Sequence, residues 1–138
     1  MRKILIGTHG KLALGYKDSI EMIAGSYANV EYICFYSEDK NYEAEVRNFM
    51  KALPPEDEII VLTDMLAGSV CQLFLPYTER PGFYMFTGIN LPIVLEIIMY
   101  KGEFNREAVD SFVRAGASEL YYVDPAKMKE EAAGDFFE

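Results

Sequence analysis

Ile59-Ile60-Val61-Leu62, followed at once by Thr63-Asp64, is the stretch that decides the fold. Four consecutive branched or leucine side chains leave no water-facing side, the pattern of a strand buried on both faces within a parallel sheet. The segments on either side repeat that alternation. Upstream, Ile4-Leu5-Ile6 and Val30 to Tyr36 read as strands. Leu12, Tyr16, Ile20 and Ile23 recur at helical spacing between them and stop at Gly25. Tyr42, Val46, Phe49, Met50 and Leu53 form one face of a second helix, ended by Pro54-Pro55. Downstream, Ala67-Gly68-Ser69 opens a helix carrying Val70, Leu73 and Phe74 and closed by Pro76. Phe83 to Phe86 is a fourth strand. Asn90 caps the next helix, with Pro92 in its first turn. Asn105 caps a fifth, carrying Val109, Phe112 and Val113 and ended by Gly116. Leu120 to Val123 reads as a short last strand, and the charged, Ala-rich segment 124–138 as a terminal helix or a flexible tail. Strict β-α alternation implies a doubly wound, mainly parallel α/β sheet with helices on both faces.

The totals fit one domain. Of 138 residues, 51% are apolar, enough to bury a core without disulfides or structural metals. The stretch Leu91 to Tyr100 is broken by Pro92 and Glu96 and is far short of the roughly 20 residues of a membrane-spanning helix. The polar Gly7-Thr8-His9 follows Ile4-Leu5-Ile6 directly, so the start reads as a strand and not a secretion signal. Cys34 and Cys71 sit in apolar surroundings without a Cys-x-x-Cys spacing, as reduced thiols of a cytoplasmic protein do. One histidine and two scattered cysteines are too few ligands for zinc. A net charge of −9 argues against nucleic acid or an anionic membrane as partner.

Ligands of open α/β sheets bind beyond the carboxyl ends of the strands, where the strand order reverses. The first strand ends in Gly7-Thr8-His9-Gly10 and the third in Thr63-Asp64. In a flavodoxin-like order these two strands are neighbours, so His9 and Asp64 meet at the switch point. One imidazole nitrogen then attacks, while the carboxylate accepts a hydrogen bond from the other and fixes the tautomer. Ser69 and the free backbone N–H groups near Gly68, at the opening of the next helix, make a cradle for a phosphoryl group. Gly10 lets backbone approach a ligand closely. Nucleophile, orienting carboxylate and anion cradle together describe phosphate transfer through a phosphohistidine, with no cofactor and no metal required.

Three other readings fit less well. A receiver-type regulatory domain would use Asp64 as phosphoacceptor, but needs acidic residues where this chain has Gly7-Thr8-His9. Hydrolysis by Ser69, His9 and Asp64 would want a Gly-x-Ser-x-Gly elbow directly after a strand, and Ser69 follows Leu62 by seven positions. A flavin module would want a longer phosphate loop and exposed aromatics.

The motifs resemble those of the enzyme IIA component of the mannose-type (mannose/fructose/sorbose) phosphoenolpyruvate-dependent sugar phosphotransferase system. Ile-Gly-Thr-His-Gly at 6–10 is similar to that family's phosphorylation-site signature. Leu-Thr-Asp at 62–64 with Ala-Gly-Ser at 67–69 resembles its second motif, and Gly-Ile-Asn-Leu-Pro at 88–92 its third. The likeness covers about residues 1–123, the span of a IIA phosphotransfer domain. It implies that HPr phosphorylates His9, that His9 passes the group to a IIB component, that Asp64 holds the ring, and that Ser69 with its neighbouring amides holds the phosphate, next to the Gly10 and Gly68 already read as phosphate-binding positions. It also implies a homodimer in which Leu120 to Val123 runs antiparallel in the partner's sheet, and contact with a membrane only through the transporter complex. Ala67 and Val70 depart from the family's Gly-Gly-Ser-Pro, where they replace the first glycine and the proline. A related branch serves dihydroxyacetone kinase; the Gly-Thr-His-Gly and Asn-Leu-Pro motifs favour the sugar-transport branch.

Overall fold

A computed structural model describes residues 1–133 of the chain. Its sheet has four parallel strands, β1 (Arg2–His9), β2 (Val30–Phe35), β3 (Glu58–Thr63) and β4 (Phe83–Thr87), in the order β2-β1-β3-β4. The expected flavodoxin-like arrangement is present, and β1 and β3 lie side by side in the middle. Their register sets Ile4 opposite Ile60 and Gly7 opposite Thr63.

Alternating side chains of these two strands feed two cores. Ile4, Ile6, Ile60 and Leu62 pack against α1 (Leu12–Ala24), α4 (Leu91–Met99) and α5 (Arg106–Ser118). Leu5, Ile59 and Val61 face the other way, against α2 (Tyr42–Ala52) and α3 (Ser69–Phe74). All seven are fully buried. At about 1.5–3 kcal/mol for each such side chain, this alternation is what holds helices on both faces.

Caps set where the helices begin. Asn41, Asn90 and Asn105 each accept a hydrogen bond from the backbone N–H three residues on, at Ala44, Ile93 and Ala108. The sheet's amino end is tied down by Arg2, whose guanidinium donates to Glu58 and to the carbonyls of Tyr100 and Gly102 and lies 4.5 Å from the Phe104 ring.

Several expected boundaries move. The inner face of α1 is carried by Ala13 and Ile20, whereas Leu12 and Ile23 are more than half exposed, as is Val113 on α5. α3 ends before Pro76, which sits in a 3₁₀ turn over Leu75–Tyr77. α5 does not stop at Gly116 but continues to Ser118. Gly116 is a packing position: an added Cβ would lie 3.3 Å from Ile93, and its carbonyl accepts from the Asn90 amide. Leu120 to Val123 forms no strand within the chain. The terminal segment begins as a helix, α6 (Pro125–Ala133); residues 134–138 lie outside the described part. Among the described residues no helix is long and apolar enough to cross a membrane.

Candidate functional site

At the carboxyl edge of β1 and β3 the chain gathers His9, Asp64, Gly68 and Ser69. His9 is the last residue of β1, and two contacts fix the turn that follows it. The buried hydroxyl of Thr8 accepts the Ala13 N–H at 2.7 Å, which ties the first turn of α1 back to β1. The Gly10 N–H donates to the Phe35 carbonyl at 2.8 Å. Gly10 has φ +59°, in the left-handed region that glycine enters without steric cost. A Cβ there would meet no protein atom within 4 Å, so within the chain it is the turn conformation that asks for this glycine.

Asp64 stands directly after β3, and both its oxygens engage His9. Oδ2 accepts the His9 backbone N–H at 2.9 Å, and Nδ1 of the ring lies 2.9 Å from Oδ2 and 3.1 Å from Oδ1. An ionised carboxylate only accepts, so Nδ1 carries the proton and donates it to this bond. Nε2 is left with its lone pair directed at the far side of the ring. Burial pushes the Asp64 carboxyl upward, yet the backbone N–H and the ring of His9, with charge attraction from the ring, outweigh it and hold the group below 3.8.

That sign has a measurable consequence. A carboxyl depressed in the folded state stabilises the fold above its unfolded value and loses that contribution as pH falls through the folded value. Asp64→Asn is therefore expected to flatten the pH dependence of the melting temperature below about pH 4 while leaving the fold intact near neutrality. An Asn side chain also presents its amide to Nδ1 as readily as its carbonyl. Phosphotransfer by this variant is expected to slow by about 10- to 100-fold, the range for losing a residue that orients a reactive group. Stopped-flow transfer and thermal melts between pH 3 and 7 check both parts.

On the other side of the ring lies the start of α3. Gly68 is buried and so close that an added Cβ would sit 2.7 Å from Cε1 of His9 and 3.4 Å from Nε2. Ser69 is the first residue of the helix, and its hydroxyl is 3.4 Å from Nε2. The first N–H groups of an α-helix have no partner inside it, so the backbone beside Nε2 offers donors to an anion. Val70 is fully buried in the second core against Phe74, and Ala67 is exposed on the loop. Neither departure from the family pattern intervenes between Gly68 and the ring.

All five residues singled out from sequence fall in this one region, with Gly10 serving the turn. Asp64 is turned toward His9 and not toward a second carboxylate, which is the geometry of an orienting group and not of a receiver's phosphoacceptor. Two residues to which the sequence assigned no role also shape the site. Thr8 sets the loop, and Tyr36 stands beside the ring, 5.9 Å between centroids.

Fold and site together define a class: a doubly wound α/β protein with a carboxylate-held histidine at its topological switch point, beside the start of a helix. Residues 3–115 match the family described as the PTS system fructose IIA component. The chain belongs to that family, the mannose-type IIA components of the sugar phosphotransferase system, and its members are phosphotransferases. The fructose-specific EIIA component of Bacillus subtilis is 27% identical over 107 residues, 71% of this chain and 69% of that protein. A Klebsiella pneumoniae structure assigned to the phosphoenolpyruvate-dependent sugar phosphotransferase system is 31% identical, with a TM-score of 0.80 over 88% of this chain and 90% of that one. The mannose/sorbose-specific IIA subunit of Enterococcus faecalis shares the fold at 22% identity, with a TM-score of 0.78 over 89% and 95% of the two chains.

Proposed function

We propose that His9 is the phosphoryl carrier, taking the group from HPr and passing it to a IIB component in the cytoplasm. One observation carries the reading: the Asp64 carboxylate lies 2.9 Å from Nδ1, where it can only accept a hydrogen bond, so Nε2 stands as the nucleophile at the opening of α3. The Nε2 lone pair attacks phosphorus, the bond from phosphorus to the donor atom breaks, and its electron pair returns to the donor. The ring becomes cationic while Nδ1 keeps its proton, and the Asp64 carboxylate stabilises that charge. The Ser69 hydroxyl and the backbone amides that follow Gly68 in the first turn of α3 receive the phosphoryl oxygens, while Gly68 keeps that turn close to the ring and Gly10 lets the backbone after His9 approach the group. Transfer to the acceptor is the same step reversed.

Ser69, His9 and Asp64 are also joined in the order of a hydrolytic triad, with a long 3.4 Å contact at the serine. Incubation with phosphoenolpyruvate, enzyme I and HPr tests the two readings. The expected product carries an acid-labile, base-stable phosphate that mass spectrometry places on His9, and Ser69→Ala still takes the label. No label, or a label on Ser69, overturns the phosphohistidine reading.

The reading extends to a homodimer in which residues 120–123 complete the partner's sheet beside β4. In support, Leu120, Tyr122 and Val123 are 92%, 84% and 62% exposed, a costly display of apolar surface for a lone chain. A groove of about 390 Å³, bounded by Phe86, Ile89, Val113 and Leu120, lies next to β4, an edge strand of the sheet. Sedimentation equilibrium is expected to give a dimer, and Leu120→Asp a species near the monomer mass of 15.7 kDa.

A further inference from the structure

Tyr36 is the only non-glycine residue among those described with a positive φ, at +63°. β2 stops one residue before it, and the turn that follows is held in place: the Ser37 hydroxyl donates to the Cys34 carbonyl at 2.7 Å, and the Glu38 N–H donates to the Tyr42 hydroxyl at 3.0 Å. β-Carbon sterics make this conformation unfavourable for tyrosine, and it persists only where the surroundings impose it. In return, the ring stands against His9, with centroids 5.9 Å apart and planes tilted by 39°. Its other neighbours are Tyr42, edge-on at 5.3 Å, and Phe35 at 6.2 Å. Tyr42 and Phe35 are buried, so Tyr36 leans on a fixed base, while Tyr36 itself is 48% exposed at the rim of the site.

Three further groups among the described residues meet the imidazole. Asp64 holds Nδ1, Gly68 backs Cε1, and Ser69 lies off Nε2. None of them presents an apolar side chain to the ring, whereas Tyr36 does. We infer that Tyr36 is a positioning residue for the phosphotransfer reaction, an aromatic wall that keeps the His9 ring in its attacking orientation and favours the cationic imidazole formed on transfer. An aromatic ring attracts a cation placed near it, and bonding phosphorus to Nε2 while Nδ1 keeps its proton makes the imidazole cationic. The contact is therefore stronger after transfer than before it, and it is made by the ring and not by the hydroxyl. The inference rests on His9 being the phosphoryl carrier.

A variant series separates positioning from stability and from docking. Tyr36→Phe keeps the ring and is expected to transfer phosphate from HPr at close to the unaltered rate. Tyr36→Gly removes the ring and accepts φ +63° without penalty, so its thermal midpoint is expected to stay near that of the parent chain while kcat falls by about five- to tenfold. KM for HPr is expected to be unchanged. Independently of any donor, ¹⁵N spectra of the imidazole are expected to show one well-defined Nδ1–H ring in the parent and in Tyr36→Phe, and an exchange-broadened ring in Tyr36→Gly. A raised KM with unchanged kcat would make Tyr36 a docking residue and overturn the inference. So would an unaltered ring spectrum in Tyr36→Gly. If the parent chain takes no phosphate, the carrier reading fails by itself, and the ring spectra still report whether Tyr36 orders His9.

Discussion

Replacing His9 by alanine is expected to reduce acid-labile, base-stable phosphate on the chain to background, with a melting temperature close to that of the parent. The chain has no second histidine, so no neighbouring imidazole can substitute. The loss of activity would then be a loss of the nucleophile and not of the fold, for a structural reason. The side chain is 36% exposed and belongs to neither core. What joins the two central strands at this end is partly backbone: the His9 N–H donates to Oδ2 of Asp64, and that bond survives truncation. Asp64 loses the ring donor but keeps this one, so its carboxylate remains solvated by the protein. The variant should still compete with the parent chain for phosphorylated HPr, since the surrounding surface is unchanged. Labelled phosphate retained by His9→Ala would move the nucleophile elsewhere, and Ser69 would be the next residue to replace.

Much of this was readable from pattern, and the parts that were not share a cause. β3 was legible because four apolar residues in a row leave only one kind of environment for an extended chain. His9 and Asp64 then met through topology, without any knowledge of side-chain geometry, because adjacent parallel strands bring their carboxyl ends together. Asparagine caps and prolines marked helix starts for local reasons and marked them correctly at Asn90 and Asn105. Gly116 misled because glycine serves two purposes. It ends helices when its φ is positive, but here it lies inside α5 and lets Ile93 approach. Leu120 to Val123 has strand composition, yet within one chain no ladder forms there, since β-propensity records a surface to pack on more than a backbone preference. Tyr36 left no trace in the pattern at all. A tyrosine after a strand reads as one more strand residue, and only the turn imposed by Ser37 and Glu38 sends its backbone into the left-handed region.

The close fit of Gly68 against the ring yields the second large expected effect. Gly68→Ala should lower phosphotransfer by about 100-fold, the cost of displacing reacting groups by about 1 Å. The added methyl would start 2.7 Å from Cε1 of His9 and 3.3 Å from the Met65 carbonyl, so it is pinched between a side chain and fixed backbone. The Met65 side cannot yield, because that carbonyl accepts the Gly68 N–H in the turn that leads into α3. α3 itself is anchored in the second core through Val70 and Phe74, both fully buried. The ring is the softer partner and swings away. Doing so stretches the two contacts from Nδ1 to Asp64 and turns Nε2 from the helix start, so orientation, tautomer control and access to the phosphoryl oxygens weaken together. Folding should be little affected: φ at Gly68 is −80°, a value alanine adopts freely, and alanine has the lower unfolded-state entropy. A melting temperature equal to or above that of the parent, with slow transfer and an altered ¹⁵N signal for the His9 ring, is the expected result. Tyr36→Gly combined with Gly68→Ala gives the ring room to retreat and should be slower than either variant alone. Full activity in Gly68→Ala would mean that the imidazole does not work from the position it occupies beside α3.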